Sequence, residues 1–243
     1  MKEDKHALLS SSVEASPEEL AASILPDDQE IHHPSGGLQI ELGLASSLSV
    51  ADKDDIWKIF ANAMQEMYET SSFCWNPTKK KREMFHKLGR FILVRSKKST
   101  KIVAFTSFRF EEEEEYGVVY CYELHVSPAF HRCGLGRKLT QMLFDICKRR
   151  GLDKVMLTVF KGTICRNYPA PRHLSFYGSF KANETAILFY QSIGFTLDPS
   201  SPGYGASLPV DDGDDDWEDE GRGYVDEECD YMILSRSVAL ATH

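Results

Sequence analysis

The stretch that decides the fold is YCYELHVSPAFHRCGLGRKL, Tyr120 to Leu139. Its first half reads as a strand in which aromatic and branched side chains enclose one acid, Glu123. Its second half is a basic turn with two glycines, Gly134 and Gly136, after which Leu139, Met142, Leu143 and Ile146 recur at helical spacing. A helix that starts from such a turn leaves several backbone N–H groups without intrahelical partners, and its dipole adds partial positive charge there. The junction therefore suits a phosphate. It is not GxxxxGK[ST], and the strands before it read as antiparallel rather than βαβ, which sets aside the two commonest nucleotide motifs.

Upstream, LQIELGLA (Leu38 to Ala45) alternates like a first strand, and Ser49 or Asp52 caps a helix whose apolar positions include Ile56, Phe60, Met64 and Met67. TKKKREMFHKL reads as a short second helix begun by Thr78 and ended by Gly89. RFILVRS and KIVAFTSFRF form a hairpin around KKST, and GVVYCYELHVS follows as a third antiparallel strand. Downstream, LDKVMLTVFK is apolar enough for a strand buried on both faces. NETAILFYQSIGF reads as a helix capped by Asn183 and stopped at Gly194, and GYVDEECDYMILSRSV as the last strand. The order predicts an α+β domain over residues 37–240.

Residues 1–36 are rich in Ser, Glu, Asp and Pro and lack aromatics, so they are expected to form a disordered tail with one short helix at most. Residues 162–180 and 205–223 read as insertions, the second one acidic. A formal charge of -9 argues against direct nucleic-acid binding and permits a basic partner. No apolar run approaches the ~20 residues of a membrane helix, so no membrane association is expected. Six scattered cysteines, without CxxC pairs or zinc spacing, imply reduced thiols and no metal.

Together RCGLGRKL and NETAILFYQSIGF resemble the [QR]xxGx[GA] loop and the later NxxAxxxYxxxGF helix of the GNAT acetyltransferase superfamily. The resemblance implies a mixed, mostly antiparallel central sheet flanked by helices, with acetyl-CoA as cosubstrate. Cys133, Gly134, Leu135, Gly136, Arg137 and Lys138 would hold the pyrophosphate. Backbone groups of His125, Val126 and Ser127 would pair with the pantetheine arm, with Thr158 and Asn183 as further cofactor contacts. Tyr190 falls where many members carry a general acid.

Seven islands in order, MQEMYE, FRF, YCYE, GLG, KVMLTVFK, DPSSP and YMILSR, are similar to the NatD-type N-alpha-acetyltransferases between Met64 and Arg236. That likeness implies transfer to the amino termini of histone H4 and histone 2A by a monomeric protein of nucleus and cytoplasm. It puts the catalytic base at Glu123 and substrate contacts at Tyr68, Glu111, Tyr122, Ser200 and Tyr231, with Phe73 and Trp75 walling the pocket and Tyr120 supporting it. Glu111 stands where the family has aspartate, and Phe73 where it has tryptophan. Removing about twenty residues from Gly162 onward restores the family's spacing. The segment is either a surface loop or a stretch retained by gene prediction.

The chemistry needs a base because only an unprotonated amine attacks a thioester. Glu123 lies between Tyr122 and Leu124, where desolvation is expected to raise its pKa. The acidic runs Glu111 to Glu115 and Asp211 to Glu220 would attract a basic tail. Cofactor motifs alone leave a lysine or small-amine acceptor open, as well as a tail-binding module without catalysis.

Overall fold

A computed structural model describes residues 2–21, 30–31, 36–161, 181–202, 204 and 229–238. The expected insertions at 162–180 and 205–223, and with them the acidic run Asp211 to Glu220, lie outside the described residues.

Eight strands among the described residues form one sheet, in the order β1 (Glu30–Ile31), β2 (Leu38–Leu44), β3 (Arg90–Ser96), β4 (Ile102–Glu113), β5 (Tyr116–Val126), β6 (Lys154–Phe160), β8 (Tyr231–Ser237) and β7 (Thr196–Leu197). Every pairing is antiparallel except β5 with β6. A crossover through α5 (Leu135–Arg149) is what permits that one parallel pair.

The sheet is covered on both faces, so β3 is buried along most of its length rather than alternating. On one face Ile92, Val94, Phe108 and Val119 meet Leu139, Leu143 and Ile146 of α5. On the other, Phe91, Leu93 and Phe105 meet Ile56 and Phe60 of α3 (Val50–Glu69) and Met84 of α4 (Pro77–Met84).

Ser49 caps α3 through a reciprocal box with Asp52. The second helix starts from Asn76, whose side chain accepts from the Lys79 amide, and not from Thr78. Pro77 supplies a preset φ at its first position, a combination that outweighs a threonine one residue on. α6 (Lys181–Ser192) likewise begins before Asn183. Glu111, Glu112 and Glu113 extend β4 instead of looping, and the turn falls at Glu114, with φ 57.

For residues 2–21 the expectation of a disordered tail is corrected. Lys2–Glu14 form α1 and Pro17–Ala21 form α2, with Ala15 and Leu20 buried to 3% and 1% exposure. Composition misled because these residues need no core of their own: Leu9, Val13, Ala15 and Leu20 join the core on the α5 face of the sheet. Arg90 holds the end of α1. Its guanidinium donates to the carbonyls of Ser12, Val13 and Ala15 and lies over the Phe110 ring. Cations at a helix C-terminus satisfy carbonyls that the helix itself leaves open.

Arg90→Met should therefore destabilise the protein by about 2 kcal/mol or more and selectively quicken hydrogen exchange in residues 2–21. Unchanged exchange there would show that α1 holds without the guanidinium.

Candidate active site

Pairing between β5 and β6 runs from Val118–Lys154 to Cys121–Leu157 and then stops. β5 continues on β4 as far as Val126, while Thr158 to Phe160 continue on β8. The two strands part, and a cavity of about 620 Å³ opens between them.

A bulge sets what faces this cavity. Across β4, Ser107 pairs with Glu123 and Phe108 with Cys121, leaving Tyr122 as an extra residue. In an unbroken strand Cys121 and Glu123 would share a face. Here Cys121 stays with the α5 core, its thiol against the Thr106 hydroxyl at 3.4 Å and pushed up to about 12 by burial. Glu123 turns to the opposite side, toward α3 and α4, where it is 7% exposed.

Its carboxylate is held at both oxygens. Oε1 accepts from Lys80 Nζ at 2.9 Å, and Oε2 lies 2.7 Å from His125 Nε2. Burial alone would raise its pKa, as the sequence suggested, but the Lys80 and His125 contacts outweigh burial and hold it below the usual value. The expectation of a raised pKa is thus overturned: Glu123 is ionised at neutral pH, and the Nε2–H of His125 is the donor.

Aromatic groups form the walls. Tyr68, Phe73, Phe160 and Tyr231 line the cavity, with centroids 5.1 Å apart for Tyr68 and Phe160 and 5.5 Å for Phe73 and Tyr231. Burial foremost, and then the Glu123 charge, lift the Tyr68 phenol to about 12. Trp75 does not line the cavity; it stacks on Trp57 and Phe60 in the α3 core. Tyr120 and Tyr122 sit 5.2 Å apart, the first 2.6 Å from the Thr158 hydroxyl. Tyr122 donates to Glu111 at 2.6 Å, under the Arg109 guanidinium. With Glu83 and Glu113, Glu111 makes the rim acidic.

Of the expected substrate residues, Ser200 is not brought into the cavity. Its hydroxyl and amide both bond Asp198, at 2.6 and 2.9 Å. Among the expected cofactor residues, the Ser127 amide donates to the Val103 carbonyl and is not left for a ligand, while the Val126 carbonyl accepts from the His131 ring at 2.8 Å and keeps a second lone pair. The side chain of Asn183 lies outside the described residues.

The glycine turn fits a pyrophosphate. Gly134 caps α5 in the left-handed region at φ 79, and a Cβ built there meets nothing within 4 Å, so the helix start stands open. Gly136 answers a close approach instead: a Cβ there would come within 3.3 Å of Phe189 on α6. The parted edge of β5 and the open start of α5 are the elements that would receive an extended thioester carrier.

Residues 57–164 match the family model described as acetyltransferase (GNAT) family. Over this span the chain is similar to the GNAT-family acetyltransferases. Acetyl-CoA is the acyl donor of such enzymes. A solved GNAT-family protein from Desulfovibrio desulfuricans is similar to this chain with a TM-score of 0.51 at 11% identity, covering 83% of this chain and 99% of its own. The ribosomal-protein-S18-alanine N-acetyltransferase of Escherichia coli aligns at 0.47 and 18% identity, over 84% and 97%. Ard1 of Thermoplasma volcanium aligns at 0.46 and 13%, over 82% and 97%. At 11% identity the likeness to the Desulfovibrio protein is one of fold: the mixed, mostly antiparallel GNAT sheet flanked by helices, as the sequence predicted.

Two residues of this site escaped the sequence reading. Lys80 sits among Lys79, Lys81 and Arg82 in the short second helix, where nothing but its spacing separates it from its neighbours, and the resemblance points to the backbone of His125 rather than its side chain. A signal for Lys80 existed: it stands four residues before Met84, and both are buried on α4. Among the described residues no group of three or more His, Cys, Asp or Glu is arranged to hold a metal ion.

Proposed function

We propose that the protein transfers acetyl from acetyl-CoA to the α-amine at the amino terminus of histone H4 and histone 2A. The observation that carries this reading is a buried, ionised Glu123 in a cavity with an aromatic wall and an acidic rim of Glu83, Glu111 and Glu113. The order and spacing of YCYE, GLG and KVMLTVFK, similar to NatD-type enzymes, support the histone tail as acceptor.

Glu123 takes a proton from the acceptor nitrogen as the new N–C bond forms, and the thioester C–S bond breaks to release CoA as its thiolate. A carboxylate with a lowered pKa is a weak base, so the acceptor's own acidity matters. An α-ammonium, with a pKa near 8, is easier to deprotonate than a lysine near 10.4 by about 3.3 kcal/mol. That difference favours the α-amine over a lysine at this site.

Acetyl-CoA supplies the acyl group as a thioester, received along the β5 edge and the start of α5. Tyr190 lines the cavity, and burial holds its phenol well above the usual value. A phenol so reluctant to ionise serves the leaving sulfur as a hydrogen-bond donor rather than by giving up its proton. Tyr122 and Glu111 present a hydroxyl and a carboxylate to the first residues of a basic tail.

The test is turnover of acetyl-CoA with the peptide Ser-Gly-Arg-Gly against an amino-blocked lysine peptide, spermidine and glucosamine. The proposal requires a kcat/KM for the free-amine peptide at least about tenfold above each of the others, the equivalent of ~1.4 kcal/mol in transition-state binding. Equal or better turnover of the blocked lysine peptide would replace it with a lysine acetyltransferase.

A further inference from the structure

The cation at the acceptor end of the cavity has no place in the reading of the sequence. Lys80 is 8% exposed, although it stands among exposed basic neighbours on α4. Its ammonium donates to Glu83 at 2.7 Å and to Glu123 at 2.9 Å. The rings of Phe60 and Tyr68 stand 5.5 and 5.2 Å from the same nitrogen. Such a lysine loses most of its hydration, and only close opposite charge compensates.

We propose that Lys80 is a positioning residue for acetyl transfer: its buried ammonium, bridging Glu83 and Glu123, anchors the Glu123 carboxylate at the acceptor end of the cavity. The inference rests on the reading of Glu123 as the base. Three geometric facts carry it. The bulge at Tyr122 turns Glu123 toward α4. Asn76 and Pro77 fix where α4 begins, and so which of its lysines faces inward. The two aromatic faces leave the ammonium its carboxylate partners and little other choice of direction.

The consequence is a division of labour within one carboxylate. Oε1 belongs to Lys80 and Oε2 to His125, so the carboxylate is fixed in rotation while each oxygen keeps a further lone pair for the acceptor's proton. A free glutamate in this cavity would turn among several rotamers, and misplacement of a reacting group by about 1 Å costs on the order of 100-fold. The Glu123 carboxylate meets Lys80 from α4 and His125 from its own strand; its charge is also felt by Tyr68 from α3, by Tyr190 from α6 and, through the strand, by the Cys121 thiol, while Glu83 shares Lys80 with it. Lys80 stands out as its nearest strong cation. Without it, burial is opposed by His125 alone.

The test reads the carboxylate directly. In protein labelled with ¹³C at the glutamate carboxyls, the Glu123 resonance, assigned through Glu123→Gln, should titrate below the ordinary glutamate range. In Lys80→Met it should move above that range, and kcat with the peptide should fall on the order of 100-fold. Lys80→Arg keeps the charge should the methionine variant not fold. It should leave Glu123 ionised yet lose between about 10- and 100-fold, because a planar fork cannot reproduce the single donor. In the Glu123→Gln background, Lys80→Met should cost nothing further, since both act through one group.

An unmoved Glu123 titration in folded Lys80→Met, a Lys80→Arg enzyme at the native rate, or losses that multiply in the double variant would each overturn the inference. The carboxyl titration needs no acceptor. If another amine proves to be the substrate, the coupling of Lys80 to Glu123 is still read independently.

Discussion

Glu123→Gln folds and binds acetyl-CoA with a KM within about threefold of the native value, but its kcat falls by ~10²–10⁴, the usual worth of a positioned general base. The amide cannot accept the acceptor's proton, whereas the elements proposed to hold the pantetheine and pyrophosphate are backbone groups at the end of β5 and the start of α5, which the substitution leaves in place. Because Gln is isosteric, the cavity keeps its shape. Lys80 loses a counter-charge and retains only Glu83 at 2.7 Å, so a lower melting temperature accompanies the lost rate. Steady-state release of the CoA thiol, with melting followed in parallel, separates the two effects. A variant within twofold of the native kcat would remove Glu123 from the chemistry.

The second large effect concerns stability. Asp198 is 1% exposed and accepts from Lys154 Nζ at 2.7 Å, while its other oxygen takes the Ser200 amide and hydroxyl. Burial would raise its pKa, but Lys154 and the serine donors more than reverse this and place it well below the ordinary carboxylate range. The cluster joins β6 to the turn after β7, beneath the strand that carries Tyr231. Asp198→Ala leaves a buried ammonium uncompensated and should cost about 3–5 kcal/mol. For a chain of this size that is a fall of roughly 6–20 °C in melting temperature. Because the folded pKa is depressed, the stabilisation is complete above the unfolded value near 3.9 and drains away as pH falls toward the folded one. The gap between native protein and Asp198→Ala should therefore narrow below about pH 4 and stay constant from about pH 5 to 8. A loss under about 1 kcal/mol at pH 7 would mean that the lysine finds water instead.

Much of the fold was legible because several signals agreed: strand alternation in LQIELGLA, a cap at Ser49 or Asp52, and a glycine turn opening an amphipathic helix. The site was legible less evenly. Glu123 stood out as an acid in an aromatic strand, yet nothing in YCYEL marks the bulge that turns it away from Cys121. Bulges arise from pairing with a neighbour, and a single strand carries no record of that. Its ionisation was misjudged for the same reason: burial is visible in local composition, whereas Lys80 lies more than forty residues away on another element. Ser200 was misplaced by resemblance alone; Asp198, two residues earlier, claims both its hydroxyl and its amide. The N-terminal helices show the limit of composition, since residues 2–21 borrow apolar surface from a sheet that their own sequence does not contain.

The most direct test is the location of one acetyl group. A peptide beginning Ser-Gly-Arg-Gly-Lys, with both a free α-amine and a lysine, is incubated with acetyl-CoA and the protein under single-acetylation conditions, then fragmented in a mass spectrometer. The account predicts the added mass on the amino-terminal fragment ions beginning at serine, and loss of the product with Glu123→Gln. Acetyl on the lysine side chain, with the terminal amine unchanged, would contradict it.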